Sequence, residues 1–132
     1  MKTSPTNHVT TQNPSLKNTV ALKAFFAITK HWDLCSEDEK ILLGVSTSTL
    51  YLWKKEKTGA LSTDTLERIS YILGIYKALH ILLPNKQAAN EWIKKPNKAP
   101  LFNGKSALHK LLKGHVVDLS DVRRYLDAER GW

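Results

Sequence analysis

Cysteine is nearly absent from this chain, since Cys35 is the single cysteine among 132 residues. One thiol excludes a disulfide framework and a cysteine-rich zinc site. Long apolar runs are missing too, because the most apolar stretch, residues 69–83, is too short to cross a bilayer and contains Lys77 and His80. No apolar run follows Lys2, so we expect no secretory signal. These absences predict a cytoplasmic protein without a membrane segment.

The sequence also lacks the residue patterns of common enzyme sites. It contains no glycine-rich phosphate loop, no nucleophile elbow and no paired-carboxylate pattern. Its five histidines include no pair four residues apart. His31 and Cys35 have that spacing, but two ligands make a weak metal site. We therefore predict a protein that is not an enzyme and that binds neither a metal nor a cofactor.

Positive charge is in excess but is not concentrated in one segment. The formal net charge is +8, which suggests an acidic partner such as nucleic acid. Residues 1–15 contribute +1, residues 16–60 and 61–95 contribute +2 each, and residues 96–132 contribute +3. This spread excludes a histone-like tail. A DNA-binding surface must therefore form from basic residues that converge in space.

Apolar residues recur at helical spacing, and no alternating strand pattern is present. Residues 1–15, rich in Thr, Asn, Ser and Pro, are predicted to be a disordered tail. A first helix over about 17–33 would bury the stripe Leu16, Val20, Ala24, Ala27, Ile28 and Trp32, widened by Ala21 and Phe25. Further helices are predicted over about 36–43, 47–57, 62–83, 85–95, 106–113 and 118–128. The helix at 62–83 is apolar on two sides, which is typical of a central core helix. The predicted fold class is all-α.

Residues 36–57 have the pattern of a helix-turn-helix. Ser36 and Glu39 have the spacing of a capping box that would begin the first helix. Gly44 would end that helix, because glycine adopts the left-handed backbone of a sharp exit. Four apolar side chains are expected to lock the two helices together: Leu43, Val45, Leu50 and Trp53.

The other face of the second helix is polar and basic. Hydroxyl groups near a helix start reach base edges or phosphates, and lysines neutralise phosphates. The predicted DNA-binding residues are Ser46, Thr47, Ser48, Thr49, Tyr51, Lys54, Lys55 and Lys57. From the pattern alone, an ordinary helical hairpin with a solvated face remains open, and Tyr51 either packs or contacts bases.

Two groups of segments carry a likeness to a known family. The first group comprises residues 39–46, 49–54, 66–70 and 73–79. The second comprises residues 92–93, 96–97, 102–108 and 122–128, with Gly131-Trp132 at the end. The first group resembles the helix-turn-helix of the Xre/MbcA/ParS antitoxin family, and the second resembles its toxin-binding domain. The order and spacing of these segments are more specific than any one of them.

This resemblance implies three parts: a tail at 1–15, an Xre-like helix-turn-helix domain at 16–83, and a small helical toxin-binding domain at 84–132, joined through the buried central helix. It implies a type II antitoxin that neutralises a RES-domain toxin, of a kind that depletes NAD, and that represses its own operon. The expected partners are that toxin and operator DNA. We also expect a homodimer within a larger toxin–antitoxin assembly, because operators are usually two-fold. The expected location is the cytoplasm, and the nucleoid when the protein is bound to DNA.

The end of the chain supplies the predicted toxin contacts, which are Arg123, Arg124, Glu129, Arg130 and Trp132. The three arginines are expected to face away from the Leu119–Val122–Leu126 stripe, where guanidinium groups pair with carboxylates. Trp132 either packs on the last helix or anchors in a partner. Two alternatives remain open: a free-standing regulator without a toxin, and a protein-binding inhibitor whose helix-turn-helix serves for dimerisation.

Overall fold

The structure, a computed structural model, describes residues 4–131, with side chains described for residues 16–131. Within that range the helices are α1 (Ser4–His31), α2 (Ser36–Leu43), α3 (Thr47–Glu56), α4 (Thr63–Leu82), α5 (Lys86–Glu91), α6 (Ala107–Leu111) and α7 (Val116–Glu129), with a 3-10 turn at Trp92–Lys94. The described range contains no strand, only an isolated bridge between Pro96 and Ser106. The predicted all-α class is confirmed.

The first helix begins earlier than its apolar pattern. It starts at Ser4, so its backbone includes most of the segment whose composition predicted a disordered tail. Adding a residue to an existing helix costs far less than nucleating one, so a helix can continue beyond its packed part. The buried face also differs from the expectation. Leu22 and Phe25 are fully buried, whereas Leu16 and Val20 are 68% and 61% exposed. Ala27 is exposed as well, so the predicted stripe was wrong at these three positions.

Helices α2 and α3 form the predicted helix-turn-helix. Gly44 has a φ of 70°, and its amide donates to the Lys40 carbonyl at 2.9 Å, which closes α2. Ser46 caps α3, because its Oγ accepts the Thr49 amide at 3.2 Å. Three of the four predicted locking side chains are buried and the fourth, Val45, packs against the core; the buried three are Leu43, Leu50 and Trp53.

The predicted capping box at the start of α2 does not form. Cys35, not Ser36, precedes the helix as its N-cap residue, and it makes no side-chain cap bond. The Glu39 side chain points into the protein instead, where its Oε2 accepts a 2.6 Å hydrogen bond from Thr29 Oγ1. Glu39 is only 5% exposed, and a carboxylate at such depth requires partners. Packing against α1 and α3 therefore overrides the local capping pattern.

Helix α4 is the central element of the core, as predicted. It packs against α1 on one side and α7 on another. The buried residues along its length are Thr65, Ile69, Ile72, Ile75, Ala78 and Leu79. At Gly74 the chain from α7 comes so close that a Cβ would lie 1.8 Å from Arg123 Nη1. Since both halves of the chain bury side chains against this one helix, they share a single core.

An aromatic cluster organises the second half. The rings of Phe102 and Tyr125 meet edge-to-face with centroids 5.1 Å apart, and Trp92 lies 5.9 Å from Phe102. The loop between the 3-10 turn and α6 folds over this cluster. Its ends are tied by Asn97, whose carbonyl accepts the Gly104 amide at 2.8 Å. The cluster therefore fixes α7 relative to the loop.

Candidate DNA-binding and toxin-binding surfaces

The outward face of α3 is open to solvent. Tyr51 is 71% exposed and Leu52 is 52% exposed, and Ser48 and Lys55 are exposed as well. Residues three, four and seven apart share one side of a helix, so these side chains form one surface. Tyr51 does not pack in the core, which removes one of the two roles left open for it. This surface offers a hydroxyl, a phenol, an apolar group and a cation to a ligand.

Hydroxyl groups cluster at the start of α3. Ser46 Oγ donates to Thr49 Oγ1 at 3.0 Å while it caps the helix. Lys40 Nζ donates to Thr47 Oγ1 at 3.3 Å, so a cation from α2 lies beside this cluster. Lys40 is not among the DNA-binding residues that the sequence predicts.

Lys54 differs from the other lysines predicted to bind DNA. Its Nζ lies 2.5 Å from Glu39 Oε1, donates to Ser36 Oγ at 3.3 Å, and lies 5.7 Å from the centroid of the Phe26 ring. Removing such a partner would leave a buried carboxylate uncompensated. Lys54 therefore holds α3 against α1 and α2.

Lys55 and Lys57 remain available for a ligand. Neither forms an ion pair with any side chain in residues 16–131, and both are exposed. Lys57 ends α3 in the left-handed conformation, with a φ of 63°. The structure therefore separates two free cations from the one that is used internally.

The three arginines predicted to contact the toxin do not lie on one exposed face. Arg124, whose side chain is 74% exposed, faces solvent and lies 3.9 Å from Asp121. Arg130 is the opposite case, since its side chain is only 12% exposed. The expectation that all three arginines face away from the core was therefore wrong for Arg130. Asp127 lies between Arg123 and Arg130. Its carboxylate is 3.2 Å from Arg123 Nε and 3.5 Å from Arg130 Nη1.

Another predicted toxin contact, Glu129, is the last residue of α7. Glu129 is exposed and borders a cleft of about 200 Å³. The other residues that line this cleft are Leu79, Leu82, Leu83, Trp92, Tyr125 and Leu126. Trp132 lies outside the described residues. Glu129 therefore adjoins an apolar recess formed by both α4 and α7.

A group of charged side chains fixes the beginning of α7. Lys110 Nζ lies 3.0 Å from Asp118 Oδ1 and 3.4 Å from Asp121 Oδ2, and His115 Nδ1 lies 3.3 Å from Asp118 Oδ2. Burial opposes ionisation of Asp118, but its bonds to Lys110 and His115 outweigh that effect and lower its pKa. Burial likewise opposes the charge on Lys110. The hydrogen bonds and charges of Asp118 and Asp121 outweigh this effect and raise the pKa of Lys110.

Among the described side chains, no three His, Cys, Asp or Glu residues are grouped so as to hold a metal ion. In the part of the chain that the structure describes, no helix has the length and apolar character needed to cross a membrane.

The fold and its surfaces define a helix-turn-helix protein with a second helical module built on the same central helix. Residues 12–74 match the family described as the antitoxin Xre-like helix-turn-helix domain. Residues 78–131 match the antitoxin Xre/MbcA/ParS C-terminal toxin-binding domain. The uncharacterized protein y4oB of Sinorhizobium fredii is 44% identical over 130 residues, which is 98% of each chain. This chain belongs to the Xre/MbcA/ParS antitoxins, and its C-terminal domain binds a toxin.

The two matched regions meet inside α4. One ends at residue 74 and the other begins at residue 78, whereas α4 continues to Leu82. The domain boundary that the sequence predicts, between residues 83 and 84, lies just after the end of the same helix and stays a prediction.

Antitoxins of this kind are generally not enzymes.

Proposed function

We propose that this antitoxin belongs to a type II system, neutralises a RES-domain toxin that depletes NAD, and represses its own operon. One observation supports the proposal most directly. A helix-turn-helix with an open α3 face and a matched toxin-binding domain share one core. The free-standing regulator is not favoured, because it gives the second domain no role.

For operator binding, α3 enters the major groove with its outward face toward the bases. The proposed base and phosphate contacts are Ser46, Thr47, Ser48, Thr49, Tyr51, Lys55 and Lys57, with Lys40 beside them. Lys54 supports these residues through Glu39. The protein binds as a homodimer in this proposal, because one short recognition helix contacts only half of a two-fold operator. It acts in the cytoplasm, and at the nucleoid when it is bound to DNA.

For toxin binding, the exposed groups of α7 make the first contact. Arg124 and Glu129 are available at the surface, and Arg123 is partly exposed beside Asp127. Arginine pairs with carboxylates in a fixed planar geometry, which suits a desolvated interface. Arg130 holds the end of α7 in place rather than extending to the toxin. Trp132 remains a proposed anchor.

Co-expression tests the choice of toxin. The frame beside this gene is expressed alone and then together with the antitoxin, and growth and cellular NAD are measured. We expect the neighbour alone to arrest growth with a loss of NAD, and the pair to recover both. Arrest without a change in NAD, rescued by the antitoxin, would remove the RES assignment and leave the antitoxin role intact. A failure of rescue would contradict both.

Arg124→Glu tests the toxin-binding surface in the same assay. We expect weaker rescue, because the reversed charge faces the toxin's carboxylates. Lys77→Glu, at an exposed lysine of α4, is the matched control and should rescue normally. Equal rescue by both variants would remove Arg124 from the interface.

A further inference from the structure

One exposed side of α1 carries both apolar and basic side chains. Leu16, Val20, Lys23, Ala27 and Lys30, here called the α1 stripe, follow one another at alternating steps of four and three residues. This spacing keeps side chains on one line along a helix and is the spacing of helix–helix seams. Leu16 and Val20 are 68% and 61% exposed, and the other three are exposed as well. The chain thus has a helix-pairing pattern that its own core does not bury.

A groove of about 600 Å³ borders this stripe. Its apolar lining comes from α1 and α3 and consists of Leu22, Phe26, Ala27 and Trp53. Four lysines surround that lining: Lys23, Lys30, Lys54 and Lys57. An apolar floor beside a cationic rim suits a ligand that combines an apolar face with negative charge.

The charge of the groove is not neutralised internally. No acidic residue lines it, and Lys54 alone is paired, with Glu39. Lys23, Lys30 and Lys57 form no ion pair within residues 16–131. Complementary charge across an interface accelerates association and selects the partner. The groove therefore selects for acidic groups.

We propose that the α1 stripe and its groove form the docking site for an acidic amphipathic helix of a partner protein. The apolar face of that helix covers Leu16, Val20 and Phe26, and its acidic residues lie opposite Lys23 and Lys30. Fourteen residues separate Leu16 from Lys30, or roughly 21 Å of helix, so about four turns of the partner fill the site. Recognition of this kind places an amphipathic helix in an apolar groove.

Two other occupants fit less well. A second copy laid along the full stripe would bring its own Lys23 and Lys30 onto a surface that already has these cations. DNA would gain nothing from the apolar floor. The outward face of α3 with Tyr51 and Lys55 also lies on the far side of the helix from Trp53, which faces α1. The groove therefore shares only Lys57 with the proposed DNA-binding residues, and the other side chains of that face lie outside it.

Peptide titration of the full-length protein tests the proposal. The probes are two synthetic 16-residue helices with the same leucine face, one flanked by glutamates and one by lysines. Fluorescence anisotropy of the labelled peptides measures Kd. We expect the glutamate peptide to bind with micromolar affinity and the lysine peptide at least ~10-fold more weakly. Amide NMR shifts should concentrate in α1 and the last turn of α3.

Charge reversal provides the matched comparison. Lys23→Glu with Lys30→Glu should weaken the glutamate peptide at least ~10-fold and strengthen the lysine peptide. Lys77→Glu with Lys86→Glu reverses two exposed lysines outside the groove and should change neither by more than about 2-fold. Circular dichroism and thermal unfolding verify that both variants fold.

Three results would overturn the proposal. The first is equal affinity for the two peptides, or no effect of the groove variant. The second is loss of duplex DNA binding in the groove variant with peptide binding unchanged, which would assign the lysines to nucleic acid. The third is a change of sedimenting mass in that variant, which would assign the stripe to a second copy. The antitoxin proposal does not depend on any of these results.

Discussion

The guanidinium group of Arg123 lies directly over Gly74, where a Cβ would be 1.8 Å from Nη1 and 2.3 Å from Cζ. Glycine therefore provides the space in which an α7 side chain rests on α4. Asp127 completes the arrangement, since its Oδ2 accepts from Arg123 Nε at 3.2 Å. Because Gly74 is the last residue of the helix-turn-helix match, this contact joins the two matched regions.

Gly74→Ala should displace Arg123 with little loss of stability. Alanine favours a helix by about 1 kcal/mol relative to glycine, and the group it displaces is the end of a long flexible side chain. We expect the free energy of unfolding to change by less than ~1 kcal/mol, measured by urea titration. Toxin affinity should fall, because Arg123 is a proposed contact.

Arg123→Ala supplies the control for this substitution. In the Arg123→Ala background, Gly74→Ala should cause no further loss of toxin affinity, because the two changes act on one contact. Additive losses would mean that Gly74 affects the toxin by another route. Unchanged affinity in both single variants would remove Arg123 from the toxin-binding surface.

Glu39→Ala should destabilise the helix-turn-helix. The substitution leaves Thr29 Oγ1 and Lys54 Nζ without their shared partner, and a lost buried hydrogen-bonding group costs about 1–3 kcal/mol. Glu37→Ala is the control, because its ion pair with Lys40 lies at the surface and is worth less than about 1 kcal/mol. Thermal and urea unfolding compare the two variants. Equal stability would show that the buried carboxylate is dispensable.

Lys55→Ala with Lys57→Ala should weaken operator binding without unfolding the protein. Each lost phosphate contact removes about one unit from the slope of log affinity against log salt, so we expect a slope smaller by about two. Mobility-shift titrations at several salt concentrations measure this slope. An unchanged slope would show that the end of α3 does not contact DNA phosphates.

Lys54→Ala is the informative contrast for these two lysines. Since its Nζ is paired with Glu39, we expect lower stability and a salt slope close to that of the unaltered protein. A full unit of lost slope with normal stability would show that Lys54 contacts phosphate instead.

Acidification should destabilise the protein through Asp118. Its pKa is lowered in the folded state below the ordinary value of 3.8, so the unfolded chain binds the proton more readily. The resulting stability is complete above the ordinary pKa and is lost as the pH falls through the lowered folded pKa. Unfolding measured from pH 6 to pH 2 should show this loss.

Asp118→Asn should remove that part of the pH dependence and lower stability at neutral pH. The asparagine cannot pair with the Lys110 ammonium, which then stays buried with Asp121 as its remaining charged partner. If the free energy of unfolding changes with pH in the same way for this variant and the unaltered protein, the assignment to Asp118 is contradicted.

Much of the local structure was accessible from sequence because it depends on neighbouring residues. The turn at Gly44 and the packing of Leu50 and Trp53 between the two helices follow from short-range spacing, and the structure confirms them. The sequence left the position of Tyr51 open between packing and ligand contact, and the structure shows it exposed. The prediction failed where local and long-range contacts compete, as at Glu39, whose buried carboxylate pairs with the partly exposed Lys54 instead of forming a capping box.

The amino-acid sequence by itself therefore determined the helices, the turn and the membership of an antitoxin family, since these depend on spacing along the chain. Only the tertiary structure decided which cations remain free. It placed Lys54 and Arg130 against carboxylates and left Lys55 without an ion pair in residues 16–131, because pairing depends on which side chains the fold brings together. It also left the α1 stripe exposed, since a helix has only one side toward the core and Leu22 and Phe25 occupy it.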